Sequence, residues 1–229
     1  MPSFDLATSE LRDLNRALHS LSDGTNETRW EISNPRGGHA IAVGVNAPVD
    51  ISIHGSTGYY CGGMNRQAKI TVHGSVGPGV AENMMSGEVI VKGDASQYAG
   101  ATAHGGLLVI EGNASSRCGI SMKGIDIVVR GNIGHMSAFM AQAGNLVVCG
   151  DAGDALGDSI YEARLFVRGS VKSLGADCVE KGMRPEHLDI LRKLLARAGI
   201  TDVKPEEFKR YGSARKLYNF NVDHADSYG

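Results

Sequence analysis

A glycine recurs at Gly55, Gly74, Gly93, Gly112, Gly131, Gly150 and Gly169, each 19 positions after the last, with no insertion or deletion between them. A fixed period over seven units confines the chain to a solenoid, in which each repeat leans on its neighbours and no long loop remains to build a cleft. Two positions before each glycine stand Ile53, Val72, Val91, Ile110, Val129, Val148 and Val167; four before it stand Ile51, Ile70, Val89, Leu108, Ile127, Leu146 and Leu165. A spacing of two places both columns on one side of a strand. The residue after each glycine is Ser56, Ser75, Asp94, Asn113, Asn132, Asp151 or Ser170, types that bond back to the local backbone and hold a turn. Seven positions after the marker comes a small column, Gly62, Ala81, Gly100, Gly119, Ala138, Gly157 and Ala176, where a larger side chain would strike the opposite wall. At about 4.8 Å per coil the stack rises roughly 34 Å.

The fold class is therefore all-β, a parallel β-helix of seven 19-residue coils over residues 50–182. A left-handed hexapeptide helix would need apolar residues every six positions. Six after the β-branched column stand Tyr59, Pro78, Gln97, Ser116, His135, Asp154 and Ser173, which are not core residues. Residues 1–49 form an N-terminal helix and cap. The helix, Ser9 to about Leu21, carries Leu11, Leu14, Leu18 and Leu21 on a narrow stripe suited to docking. Residues 25–49 are out of register with the repeat and read as an irregular cap. Residues 183–229 form a second helix, from Pro185 to a stop at Gly199, followed by an arm. The arm mixes Arg210, Arg215 and Lys216 with Tyr211, Tyr218 and Phe220 and is either a disordered tail or a docking segment.

One outward column demands a cover. Three positions before each marker the residues run Ser52, Thr71, Ile90, Val109, Val128, Val147 and Phe166, of which the last five are apolar. A solvated sheet face alternates apolar with polar, so either the flanking helices or another chain covers this strip. We take the strip and the arm as candidate partner surfaces.

A net charge of -2 offers no electrostatic footprint for nucleic acid or an anionic membrane. No apolar run approaches the roughly 20 residues of a spanning helix, and the first residues lack the blocks of a signal peptide, so a soluble cytoplasmic protein is expected. His54 and His73 share a column of adjacent coils, but that column continues as Lys92, Glu111, Arg130, Cys149 and Arg168, an outward ladder with Glu111 between two cations. Cys61 and Cys118 share a column three coils apart, beyond disulfide reach, and Cys149 and Cys178 form no C-x-x-C pair. The acidic cluster Asp151, Asp154, Asp158 and Glu162 lacks the ligand order of a calcium loop. Gly77, Gly79 and Gly87 are solenoid turns rather than a phosphate loop, because no helix follows them. Tyr59, Tyr60 and Tyr98 suit sugar stacking, as in β-helical polysaccharide lyases, yet no neighbouring column supplies clustered carboxylates or a basic group. No catalytic, cofactor or metal residue is expected in this chain.

The coil V-K-G-D-A-S-Q-Y-A-G-A-T-A-H-G-G, from Val91 to Gly106, resembles the GXGXG domain, the C-terminal right-handed β-helix of the large glutamate synthase subunit. Related coils occur in one of the subunits of formylmethanofuran dehydrogenase. The resemblance covers roughly residues 37–182 and implies a right-handed helix. As a free-standing chain with the arm K-R-Y-G-S-A-R-K-L-Y-N-F, it looks most like the middle-subunit family of N-methylglutamate synthase. That likeness implies a non-catalytic member of a hetero-oligomer that converts methylamine and glutamate to N-methylglutamate and ammonia. It also implies a glutaminase-like class II amidotransferase partner with an N-terminal cysteine, and an FMN-dependent partner that carries FMN and an iron-sulfur cluster. Here residue 2 is Pro2, so the nucleophile is expected on the partner. A split glutamate synthase and formylmethanofuran dehydrogenase are the alternative assemblies.

The β-branched column gives the first test. Replacing Ile110, in the central coil, by Ala should lower unfolding free energy by about 2 to 5 kcal/mol in denaturant titrations. A loss below about 0.5 kcal/mol would place that column on the surface.

Overall fold

A computed structural model describes residues 1–217. The chain is a parallel β-solenoid of about seven turns with few helices. In chain order its elements are β1 (Ser3–Asp5), α1 (Leu11–His19), β2 (Arg29–Ser33), β3 (Asp50–His54), β4 (Lys69–Val72), β5 (Glu88–Val91), β6 (Leu107–Ile110), β7 (Lys123–Val129), β8 (Ala143–Val148) and β9 (Arg164–Val167). Then follow β10 (Cys178–Lys181), α2 (Pro185–Arg197), a short 3-10 turn (Pro205–Glu207) and β11 (Lys209–Ser213). Successive strands from β1 to β9 pair in parallel within one sheet.

From β3 to β9 the register is 19 residues throughout: Ile51 faces Ile70, then Val89, Leu108, Ile127, Leu146 and Leu165. Both expected inward columns are at most 1% exposed. The marker glycines are obligatory for a reason of distance. A Cβ on Gly74 would lie 2.6 Å from the carbonyl carbon of Gly55, so the coils stack too closely there for any side chain.

The polar residue after each marker behaves differently from the expectation of a local turn. From Ser56 to Asp151 its side chain bonds to the next coil, not to its own turn, and Ser170 ends the ladder by donating back to Asp151. Asp94 accepts the N–H of Asn113 at 2.7 Å, Asn113 that of Asn132 at 2.9 Å, Asn132 that of Asp151 at 2.7 Å, and Asp151 that of Ser170 at 2.7 Å. Ser56 and Ser75 begin the same ladder, each at 3.1 Å. A short oxygen-bearing side chain is needed because the acceptor must reach about one coil spacing and no further.

The small column is small for two reasons, a wall clash and the backbone conformation. At Gly100 a Cβ would lie 2.6 Å from Ile127 Cδ1, which is the expected clash. The residue also has φ +67°, in the left-handed region. That conformation recurs at alternate positions in each coil, for example Tyr98, Gly100 and Thr102, then Arg117, Gly119 and Ser121. Alternation aims successive amides in opposite directions. Tyr98 donates to Ser116 of the next coil at 3.1 Å, Gly100 to Val80 of the preceding coil at 2.8 Å, and Thr102 to Ile120 of the next at 2.9 Å. The turn arm is thus a hydrogen-bonded wall in its own right, and its non-glycine residues accept left-handed strain to make it.

Residues 29–49 are not an irregular cap. They form a further coil, since β2 pairs with β3 in parallel, Trp30 facing Ile51 and Ile32 facing Ile53. A spacing of 21 rather than 19 hides it from the repeat. α1 docks on this coil through buried Leu14 and Leu18. Asn15 then substitutes for a preceding turn: its side chain donates to Ala40 O at 2.9 Å and accepts the N–H of Ala42 at 3.1 Å. At the other end β11 pairs antiparallel with β9, and β10 with β11, so the final edge runs against the stack.

Gly100→Leu combines the wall clash with left-handed strain and should lower the melting temperature well below that of Gly24→Leu, at an exposed site where a Cβ meets nothing within 4 Å. Equal circular-dichroism melts for the two variants would refute the thin-coil geometry.

Candidate functional site

The outer strip offered as a partner surface is covered by the chain itself. Val109, Val128, Val147 and Phe166 are buried, at no more than 2% exposure, beneath Leu191, Leu194 and Leu195 of α2, with Ile200 and Phe208 completing a second hydrophobic cluster. Ile90 is half-buried against the same cluster. Arg197 reaches Glu88 at 3.0 Å and pins the end of the helix. The reading of this strip as an intermolecular interface is corrected: burial of α2's apolar stripe satisfies both surfaces at once.

The arm is likewise drawn into the fold. Tyr211 sits in β11 opposite Leu165, 5% exposed, and joins the main core. Arg210 faces Phe166 along the strand, and its Nε donates to Gly182 O at 3.1 Å. Arg215 is exposed and paired with Glu162 at 2.8 Å; Lys216 is exposed, its N–H bonded to Asp177 at 3.0 Å. Tyr218 and Phe220 lie outside the described residues. β11 escapes a periodic reading because antiparallel pairing with a strand some 40 positions earlier leaves no periodic trace.

The candidate chemical groups are engaged in structural contacts. His54 and His73 stack with ring centroids 5.0 Å apart, and His54 Nε2 meets Glu31 Oε2 at 2.5 Å. Glu111 pairs with Lys92 at 2.6 Å, whereas Arg130 turns to Asp202 at 2.8 Å and Arg168 to Glu207 at 2.7 Å, so Glu111 bridges one cation rather than two. In the acidic cluster, the N–H and hydroxyl of Ser170 hold the Asp151 carboxyl below its usual range. Lys172 does the same for Asp154, at 2.7 Å, and Asp158 accepts from Ala176 N–H at 3.1 Å. No group of three or more metal-ligating side chains converges among the described residues. Tyr59 is exposed but stacks on His39 at 4.1 Å; Tyr60 accepts from Asn83 at 3.2 Å; Tyr98 lies under the Arg117 guanidinium at 5.9 Å.

All four cysteines are free and buried, Cys61 and Cys118 included. Burial pushes the Cys61 and Cys149 thiols up to about 11 and those of Cys118 and Cys178 up to about 12. Each is a protonated packing residue, since only the thiolate is nucleophilic. Iodoacetamide at pH 8 should therefore label the folded chain at least about 100-fold more slowly than the urea-unfolded chain, whose thiols titrate near about 8.5. Rapid labelling of one cysteine in the folded chain would reinstate a nucleophile.

No family model matches the chain. It is 71% identical over 228 residues to Protein GlxC of Rhizobium meliloti (strain 1021), an alignment that spans the whole of both chains. The chain belongs to the GlxC family of proteins.

Proposed function

We propose that this chain is a non-catalytic structural subunit of a glutamate synthase-like multisubunit enzyme of the N-methylglutamate synthase type. The observation that carries this reading is the engagement of the solenoid's cysteines, its stacked His54 and His73 and its ladder carboxylates in packing or ion pairs. The cysteines are buried and protonated, and the outward histidines and carboxylates pair along their own ladders. A stack built this way offers rigidity and a fixed separation between surfaces rather than a reaction centre. The coil motif's resemblance to the glutamate synthase β-helix supplies the enzyme class. The partners proposed are a glutaminase-like subunit and an FMN-dependent subunit bearing the iron-sulfur cluster.

Because α2 covers the outer strip, contact with these partners is assigned to the arm from Arg215 and Lys216 onward, including Tyr218 and Phe220. Truncation for a binding test must keep β11, whose loss would expose Phe166 and Leu165. The full chain and a version ending at Lys216 would each be co-expressed with the glutaminase-like and FMN-dependent subunits. The full chain should co-purify with both and be required for transfer of methylamine to glutamate; the shortened chain should bind at least about tenfold more weakly, the loss expected of one hot-spot side chain. A monodisperse full chain that ignores both partners and cleaves a polysaccharide would overturn the assignment and make the Tyr59, Tyr60 and Tyr98 side a substrate surface.

A further inference from the structure

β9, β10, β11 and the first turn of α2 flank a half-open groove of about 620 Å³ at the C-terminal end of the solenoid. Five cations line it, Arg164, Lys181, Arg184, Arg210 and Arg215, against two carboxylates, Glu162 and Glu186. Both carboxylates already have partners: Glu162 pairs with Arg215 at 2.8 Å, and Glu186 lies 3.7 Å from Arg184. Arg164, Lys181 and Arg210 have no carboxylate within ion-pair distance among the described residues. Cations held together without counter-charge repel one another. Burial, together with that repulsion, holds the Arg210 guanidinium below its usual range, with Arg184 and Arg164 as the neighbours responsible.

A buried donor faces the same space. His187, on the first turn of α2, is 6% exposed and lines the groove. Its Nδ1 accepts the N–H of Arg184 at 3.1 Å, so in the neutral ring the proton sits on Nε2, which has no partner among the described residues. Neutrality is favoured, since burial and the nearby Arg210, Arg164 and Arg184 all push its pKa down. The N-terminus of the 13-residue α2 adds its own positive end. The volume lies within the roughly 300–1,000 Å³ of small-ligand sites.

We propose that this groove is an anion-binding site for a small ligand bearing carboxylate or phosphate groups, clamped by Arg164 and Arg210 and oriented by the Nε2–H of His187. Arginines suit either group, because the planar fork meets two oxygens at once. The site belongs to the chain alone and does not depend on the assembly proposed above.

The test is calorimetric titration of the full chain, without partner subunits, with succinate and with pyrophosphate at constant ionic strength. Saturable binding is expected, weakened at least about tenfold by Arg164→Gln, as befits one charge-assisted bond, and unchanged by Arg12→Gln on the distant α1. Arg164 is exposed, so the variant should fold; circular dichroism checks it. In labelled-histidine NMR the bound anion should raise the His187 pKa, a shift that nonspecific salt screening would not reserve for this ring. Saturation by succinate alone supports the site with carboxylate as the ligand group, and by pyrophosphate alone with phosphate. No saturation by either probe up to about 10 mM, or equal affinity in Arg164→Gln, would overturn it.

Discussion

Gly93, Gly112, Gly131, Gly150 and Gly169 each donate their N–H to the carbonyl of the glycine 19 residues before, at 2.9–3.0 Å. Contact this close between backbones is possible only where neither coil carries a Cβ, and it sets the height of every turn at that corner. The aliphatic columns then fall into register, and the polar residue beside each glycine comes within reach of the next coil's amide. One inserted residue would invert a strand, sending its inward Ile or Val outward. The absence of insertions between Gly55 and Gly169 follows from that penalty rather than from any demand of chemistry.

A stack that satisfies each coil with its neighbours leaves unpaired groups only at its two ends. The ends are closed by different means. At the N-terminus the first coil's left-handed arm would present Ala42 N–H and Ala40 O to nothing, and the amide of Asn15 takes both. His19 takes Val43 O at 2.7 Å. At the C-terminus β11 reverses direction against β9, and the outermost strand, β10, carries Glu180 and Lys181, charges that discourage further strand addition. Both devices come from the non-repeating flanks, where each residue answers to one contact instead of seven.

That division explains what is legible in the sequence. Column residues such as Ile110 and Val129 repeat a single environment, so their burial is written seven times over. Asn15 makes a unique contact with a coil 25 residues away, and nothing in its neighbourhood announces it. The coil at residues 29–49 is hidden by two extra residues, although Trp30 and Ile32 occupy the same inward positions as Ile51 and Ile53. The left-handed arm is hidden by side-chain identity: glycine at Gly100 hints at positive φ, but Arg117 and Met136 adopt it too, held there by inter-coil bonds that a local propensity cannot weigh. The apolar character of the outer strip announces that it is covered, while its cover, α2, is one of two possibilities that the pattern alone does not separate.

The ends of the stack also locate the anion groove. Arg164 closes a column that runs Asp50, Lys69, Glu88, Leu107, Asp126 and Asn145 through adjacent strands. Within the stack, charged members of this column have neighbours above and below, as Asp126 has Asn145 at 2.7 Å. Arg164 stands in the last parallel strand, and beyond it lies the antiparallel β11 instead of another coil, with Arg210 opposite Phe166, two residues along from Arg164. The cation that ends the neighbouring ladder, Arg168, is matched by an acid, Glu207. At Arg164 the cap supplies further cations and a neutral, buried histidine. Stability of the fold would be better served by a carboxylate there, so the arrangement is explained more simply by an anion from outside the described chain than by packing.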